Sequence, residues 1–302
     1  MKPVSTTTTT TTTPLELPRV DPRLVMSLAA VYVIWSSTYL AMRIVVAELP
    51  PLLMAGLRFS IAGVVMLAIA RHRGTPWPTA RQWLRAVPLG ALLFVGGNGF
   101  VSVAEQTVSS GGAAVVCATM PLWVGVLGAF GGERPSTREW VSLALGFIGV
   151  LVLMGGPSLS GRPEHIALVI LSPICWATGS LLARRMPSAG ALMGPATQML
   201  SGGVLLFAIG AIKGEAVPAH ASSDAWLALA YLCVFGSLVA FTAYNWLLRN
   251  ARAVVATSYA YVNPILAVLT AAALYDEPLG PTTVVANVLI VGAVMLALRK
   301  PR

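Results

Sequence analysis

One feature limits what this chain can fold into more than any other: apolar runs about one bilayer long recur from near residue 24 to the C-terminus. They lie at 24–46, 50–70, 86–106, 110–131, 139–156, 165–184, 190–212, 225–248, 253–275 and 280–298, joined by short polar links. A spanning helix needs about 20 predominantly apolar residues, and spanning β-strands would instead show short alternating segments. In hydrocarbon every backbone polar group must be satisfied internally, so continuous runs of this length predict an all-α integral membrane protein with ten transmembrane helices. Asn98, Glu105 and the Ser109–Gly112 turn interrupt the third and fourth runs. Composition excludes the alternative of a water-soluble enzyme. The 302 residues are 56% hydrophobic and only 10% charged, against roughly 45–50% and about 25% in soluble domains.

Residues 1–23 form a polar tail with the low-complexity run Thr6–Thr13; such a segment has too little apolar surface to pack, and it reads as a disordered cytoplasmic tail rather than a signal peptide. The net charge of +9 would suggest nucleic acid in a soluble chain. Here the placement of the cations argues against such a partner. With the N-terminus inside, the cytoplasmic links hold Arg71, Arg73, Arg81, Arg85, Arg134, Arg138, Arg184, Arg185, Arg249 and Arg252, and the C-terminus adds Arg299, Lys300 and Arg302. The opposite side holds only Arg162 and Lys213. The positive-inside rule then places both termini in the cytoplasm. Cys117, Cys175 and Cys233 show no paired or metal-ligand spacing and read as small packing residues.

The chain also repeats itself. Trp35-Ser-Ser-Thr-Tyr-Leu-Ala-Met-Arg43 matches Trp176-Ala-Thr-Gly-Ser-Leu-Leu-Ala-Arg184 at a displacement of 141 residues. Ala62–Ile69 matches Gly202–Ile209, and Pro121 before Glu133 matches Pro264 before Glu277. The units run over 24–156 and 162–299, five helices each. Five is odd, so the second unit enters the membrane upside down. Inverted repeats of this kind place a solute site near the midplane between the halves.

Ile34-Trp-Ser-Ser-Thr-Tyr39, Pro50-Pro-Leu-Leu-Met-Ala-Gly-Leu-Arg-Phe59, Thr257-Ser-Tyr-Ala-Tyr-Val-Asn-Pro264 and Asp276-Glu277-Pro278 resemble the corresponding stretches of EamA-type permeases in the drug/metabolite transporter superfamily. The resemblance covers about residues 27–298. It implies a ten-helix fold of two inverted EamA repeats in a bacterial-type inner membrane, exporting small metabolites such as amino acids. It also implies a central cavity lined mainly by helices 1, 3, 4, 6, 8 and 9, with helices 5 and 10 peripheral. Small multidrug members of that superfamily carry a glutamate in their first helix; this sequence has none there.

Among ionisable residues the pattern is sparse. Glu105 is the carboxylate placed within a run, and it reads as an interfacial or capping residue. Little therefore speaks for a proton relay, which needs buried Asp, Glu or His. Arg58 lies about eight residues into the second helix; an Arg at a helix centre costs about 2.5–3.5 kcal/mol on insertion scales. A substrate carboxylate could pair with it, but snorkelling or bonds to backbone carbonyls are the simpler expectation. The cavity candidates are Trp35, Ser37, Thr38 and Tyr39 on helix 1, Asn98 on helix 3 and Trp123 on helix 4. Trp176 and Thr178 on helix 6, Tyr244 and Asn245 on helix 8, and Tyr259, Tyr261 and Asn263 on helix 9 complete the set. Each must bond another helix or face a wet cavity, and Tyr259 and Asn263 share one helical face. Pro121 and Pro264 predict matched kinks suited to gating. No catalytic motif, metal cluster or cofactor signature is visible. The expected partners are the lipid bilayer and a small-molecule solute moved by alternating access; the competing reading is a membrane-embedded enzyme acting on a lipid-linked substrate.

Overall fold

The computed structural model describes residues 21–108, 113, 116–132, 135–153, 161–186, 189–266 and 281–298. The Thr-rich tail, Glu133, Asp276 and Glu277 lie outside these. The described residues form helices α1 (Pro22–Glu48), α2 (Pro51–His72), α3 (Ala80–Ala104), α4 (Met120–Phe130), α5 (Thr137–Leu153), α6 (Pro163–Arg185), α7 (Met193–Ile212), α8 (Ser223–Asn250), α9 (Ala253–Leu266) and α10 (Pro281–Leu298). No strand occurs among the described residues. Six of these helices (α1, α2, α3, α6, α7 and α8) are long and apolar enough to cross a membrane. Side chains such as Val33, Val64, Val204 and Val288 stay exposed on the outer faces, as a lipid-bathed surface requires.

Local chemistry sets the helix starts. Pro51 opens α2, where its missing N–H costs nothing. Thr79 and Gln82 form a reciprocal capping box that begins α3 six residues before its apolar run. The α2 N-terminus has no side-chain cap of its own; Glu215, just after α7, supplies one, its Oε2 accepting from Leu53 N–H at 2.8 Å and Leu52 N–H at 3.1 Å. Gly214 makes this reach possible by turning the chain at φ +73°.

Two helices change pitch midway. Ala91–Gly99 in α3 and Leu232–Val239 in α8 are π-helical, and the two stretches begin 141 residues apart. Widened turns of this kind interrupt the i→i−4 ladder and favour functional sites. The sequence runs conceal them, because an apolar helix has no polar stripe whose drift would betray the extra residue.

Packing pairs helices across the chain. α2 lies along α7, and α5 along α10. Gly56 meets Phe207, Gly203 meets Ser60, and Gly63 meets Leu200, so α2 and α7 run antiparallel at close approach. Ser142 of α5 donates to Ala293 O of α10 at 2.7 Å. The arginine-bearing helix ends gather at one end of the bundle. There Arg184 donates to Leu248 O (2.7 Å) and Ala251 O (2.9 Å), Arg185 donates to Gly131 O (2.7 Å), and Arg252 pairs with Glu139 at 2.7 Å. At the other end, Glu48 accepts from the N–H and the hydroxyl of Ser222, both at 2.6 Å.

The expected run at 110–131 differs most from the structure. Within it Ala113, Val116 and Cys117 are helical, a turn follows at Ala118–Thr119, and α4 begins at Met120 with Pro121 in its first turn; the expected Ser109–Gly112 turn lies outside the described residues. The break in helical structure falls immediately before Pro121, which has no N–H to donate back to Cys117 O. Pro264 does lie within α9 and leaves Ala260 O without its usual donor.

The α2–α7 seam yields a prediction. A Cβ at Gly203 would fall 2.9 Å from Ser60 N and 3.1 Å from Gly56 O, whereas one at Gly292 meets nothing within 4 Å. Gly203→Ala should destabilise by about 1–3 kcal/mol and lower the thermal midpoint in detergent by several degrees. Gly292→Ala should leave it unchanged.

Candidate functional site

A cavity of about 110 Å³ lies between α1, α2, α3, α6, α8 and α9, closed on one side by Cys117 and Met120. It is far smaller than the ~300–1,000 Å³ typical of drug-sized sites. One wall is aromatic. Trp35 packs against Tyr259 (centroids 4.6 Å), Tyr244 (5.1 Å) and Trp176 (5.7 Å). Phe94 bridges Phe59 (4.5 Å) and Phe241 (5.0 Å) on the other side. Edge and tilted contacts of this kind hold the rings rigid.

The π-helical segments shape the cavity through their glycines. Trp35 Nε1 donates to Gly236 O at 3.0 Å, and Ser172 Oγ donates to Gly97 O at 2.6 Å. In each case a side chain of α1 or α6 takes a carbonyl from the widened turn of α8 or α3. Gly97 has no room for a side chain: the Trp176 ring occupies that position. Tyr32 OH and Ser258 Oγ, 2.6 Å apart, tie α1 to α9. The Asn263 amide, oriented as its neighbours demand, donates to Tyr259 O (3.1 Å) and Tyr32 O (3.2 Å).

Of the residues expected from sequence, Trp35, Thr38, Tyr39, Asn98, Trp176, Tyr259, Asn263 and Arg58 line this cavity. Tyr244 stands behind it, fully buried, with its hydroxyl accepting from Trp176 Nε1 (3.2 Å) and bonded to Ser180 Oγ (2.7 Å). The others serve elsewhere. Ser37 is exposed and bonds Tyr231 OH, and Thr178 returns its hydroxyl to Ile174 O. Trp123 packs partly buried against the main core. Asn245 donates to Phe241 O and borders a separate pocket with Gln198 and Arg249. Tyr261 turns to α5, its ring against Gly146 and its hydroxyl on Leu143 O. Residues the sequence reading missed include Phe59, Phe94, Phe241, Ser172 and Gly236. The phenylalanines carry no signal inside an apolar run, but Ser172 beside Pro173 in mid-helix did break its pattern.

The two charged candidates behave unexpectedly. Arg58 does not snorkel: it is only 3% exposed. Its Nε donates to Ser237 Oγ at 2.8 Å, its guanidinium lies 4.8 Å from the Phe59 ring centroid, and its Nη1 is buried with no hydrogen-bond partner. Glu105 ends α3, and both its carboxylate oxygens are buried without a hydrogen-bond partner among the described residues. It borders the site without lining it. Among the described residues no metal-ligating cluster occurs.

The model of the EamA-like transporter family matches residues 23–155 and again 165–299. An uncharacterised inner membrane transporter of Escherichia coli (strain K12), YedA, is 43% identical over 271 residues, covering 89% of each chain. An uncharacterised transporter of Bacillus subtilis (strain 168), YoaV, is 24% identical over 252 residues, covering 81% of this chain and 86% of its own. A solved crystal structure of another protein superposes with a TM-score of 0.75 at 22% identity, covering 91% of this chain and 97% of the other. That likeness concerns the fold alone.

The Trp176–Tyr244–Ser180 chain should be sensitive to one oxygen atom. Tyr244→Phe strands two buried polar groups and should cost about 1–3 kcal/mol in thermal or denaturant unfolding. Thr178→Val, which loses only a local bond, should stay within about 0.5 kcal/mol.

Proposed function

Since the chain belongs to the EamA-like transporter family, we propose that it exports small, partly polar metabolites such as amino acids across the inner membrane by alternating access. In this reading ten spanning helices form two five-helix halves, 24–156 and 162–299, inserted in opposite senses with both termini in the cytoplasm. The observation that carries it is the cavity, whose wall draws on both proposed halves: Trp35, Arg58 and Asn98 from the first, Trp176, Tyr259 and Asn263 from the second.

Three further observations support the reading. The antiparallel α2–α7 pair and the matched π-helical segments of α3 and α8 stand where a two-fold relation between halves would put them. The family model matches twice in tandem. The helix ends bearing arginines meet at one end of the bundle, the arrangement the positive-inside rule expects of a cytoplasmic face. With no carboxylate among the described residues that line the cavity, the mode proposed is facilitated flux or solute exchange rather than tight proton coupling.

Flux of labelled metabolites from strains overexpressing or lacking the protein tests the activity. Tyr259→Ala or Asn263→Ala should cut flux tenfold or more while leaving membrane insertion intact. Reporter fusions near 71–85 and 249–252 should report the same side of the membrane. A pH gradient that drives several-fold accumulation in proteoliposomes, lost in Glu105→Gln, would overturn the facilitated mode.

A further inference from the structure

We infer that Arg58 is the charge-selecting group of the cavity, and that the solute it takes is a small monoanion bearing a carboxylate with a hydroxyl on the adjacent carbon, an α-hydroxy acid. The inference rests on the transport reading above and deepens it.

Arg58 is held from behind: Ser237 Oγ accepts from Nε at 2.8 Å while donating to Leu232 O at 3.1 Å, in the widened turn of α8. Phe59 covers its guanidinium at 4.8 Å. These contacts fix the plane of the guanidinium but leave Nη1 buried with no acceptor. Among the described residues no Asp or Glu forms an ion pair with Arg58, and none lines the cavity. A buried cation without a counter-ion is costly unless something supplies one. The other described lining residues are neutral, seven of them aromatic, so the counter-ion is one that the solute brings.

The shape of the guanidinium narrows the chemistry of its partner. A guanidinium presents a planar fork that matches a carboxylate. One cation balances one negative charge; a dianionic phosphate would leave its second charge uncompensated in a wall of low dielectric. A cationic solute would add repulsion to desolvation. At the same wall, Asn98 Oδ1 is a buried acceptor with no donor, while the Asn98 backbone carbonyl is occupied by Ser102. A solute that brings a carboxylate for Arg58 and an O–H for Asn98 satisfies both leftover groups together. The rings of Trp35, Trp176 and Tyr259 then face its apolar part.

The test uses purified full-length protein and three matched pairs whose amides are neutral: L-lactate, L-2-hydroxyisocaproate and L-3-phenyllactate, each beside its amide. Tryptophan emission and thermal stabilisation report binding in detergent, and counterflow in proteoliposomes reports transport. At least one acid should bind tenfold or more tightly than its amide. Arg58→Gln should abolish that preference and weaken the acid about tenfold or more; Arg58→Lys, keeping the charge without the fork, should fall between. 2-Hydroxyisocaproate should bind better than isocaproate, and Asn98→Ala should equalise them. Amides that match their acids, failure of every acid to bind, or an Arg58→Gln protein that keeps the acid's affinity would each overturn the inference. Should Arg58→Gln fail to fold, the comparison of acids and amides on the native protein still decides it. Binding of this pattern without flux would refute the transport reading and leave the carboxylate site standing. Flux that is indifferent to both the carboxylate and Arg58 would do the reverse.

Discussion

Hydrocarbon offers no hydrogen bonds, and nearly everything about this molecule follows from that. A backbone polar group or a cation inside the bilayer must be answered by the protein or by what it carries. Regular helices answer most of the backbone. Where α3 and α8 widen into π turns, neighbouring helices complete the accounting: Trp35 reaches Gly236 O and Ser172 reaches Gly97 O. Where α2 starts without a cap, Glu215 provides one from beyond α7. The unanswered groups are therefore informative. Among the described residues Ser60, Glu105, Gln198 and Asn287 also hold buried atoms without a partner, outside the cavity lining, but Arg58 Nη1 and Asn98 Oδ1 belong to residues on the cavity wall.

The irregularities and the cavity occupy the same level of the fold. A regular α3 would present a different face at Gly97, and the Trp176 ring that fills the missing side-chain space there would have no seat. Ser237, in the widened turn of α8, orients Arg58. The distortions are thus the means by which small residues and backbone carbonyls reach a surface that carries seven aromatic rings.

Much of the architecture was legible in the sequence because apolar length is a strong signal. The described helices begin within a few residues of most runs, apart from α3, which starts early on the Thr79 cap, and the fourth run, where a turn at Ala118–Thr119 precedes α4. The cavity was half legible. Polar and aromatic residues inside apolar runs stand out, and Trp35, Asn98, Trp176, Tyr259 and Asn263 do line it. The same signal also marked Thr178, Asn245 and Tyr261, which satisfy helices instead. Sequence cannot separate these uses, since both follow from the same need for a partner. Phe94 and Phe241 were invisible because an apolar wall residue looks like any lipid-facing one. Arg58 was conspicuous as an anomaly, yet its anchor Ser237 lies far along the chain.

The glycine seam between α2 and α7 has a mechanical consequence. Gly63 comes within van der Waals reach of the Leu200 backbone, and Gly203 within that of Ser60. Surfaces meshed this closely resist separation, since parting them opens a void that neither lipid nor side chain can fill. They tolerate a small rotation far better than a gap. A rearrangement that exposed the cavity first to one side and then to the other would meet least resistance by turning about this seam as its fulcrum, with the remaining helices as the lever arms.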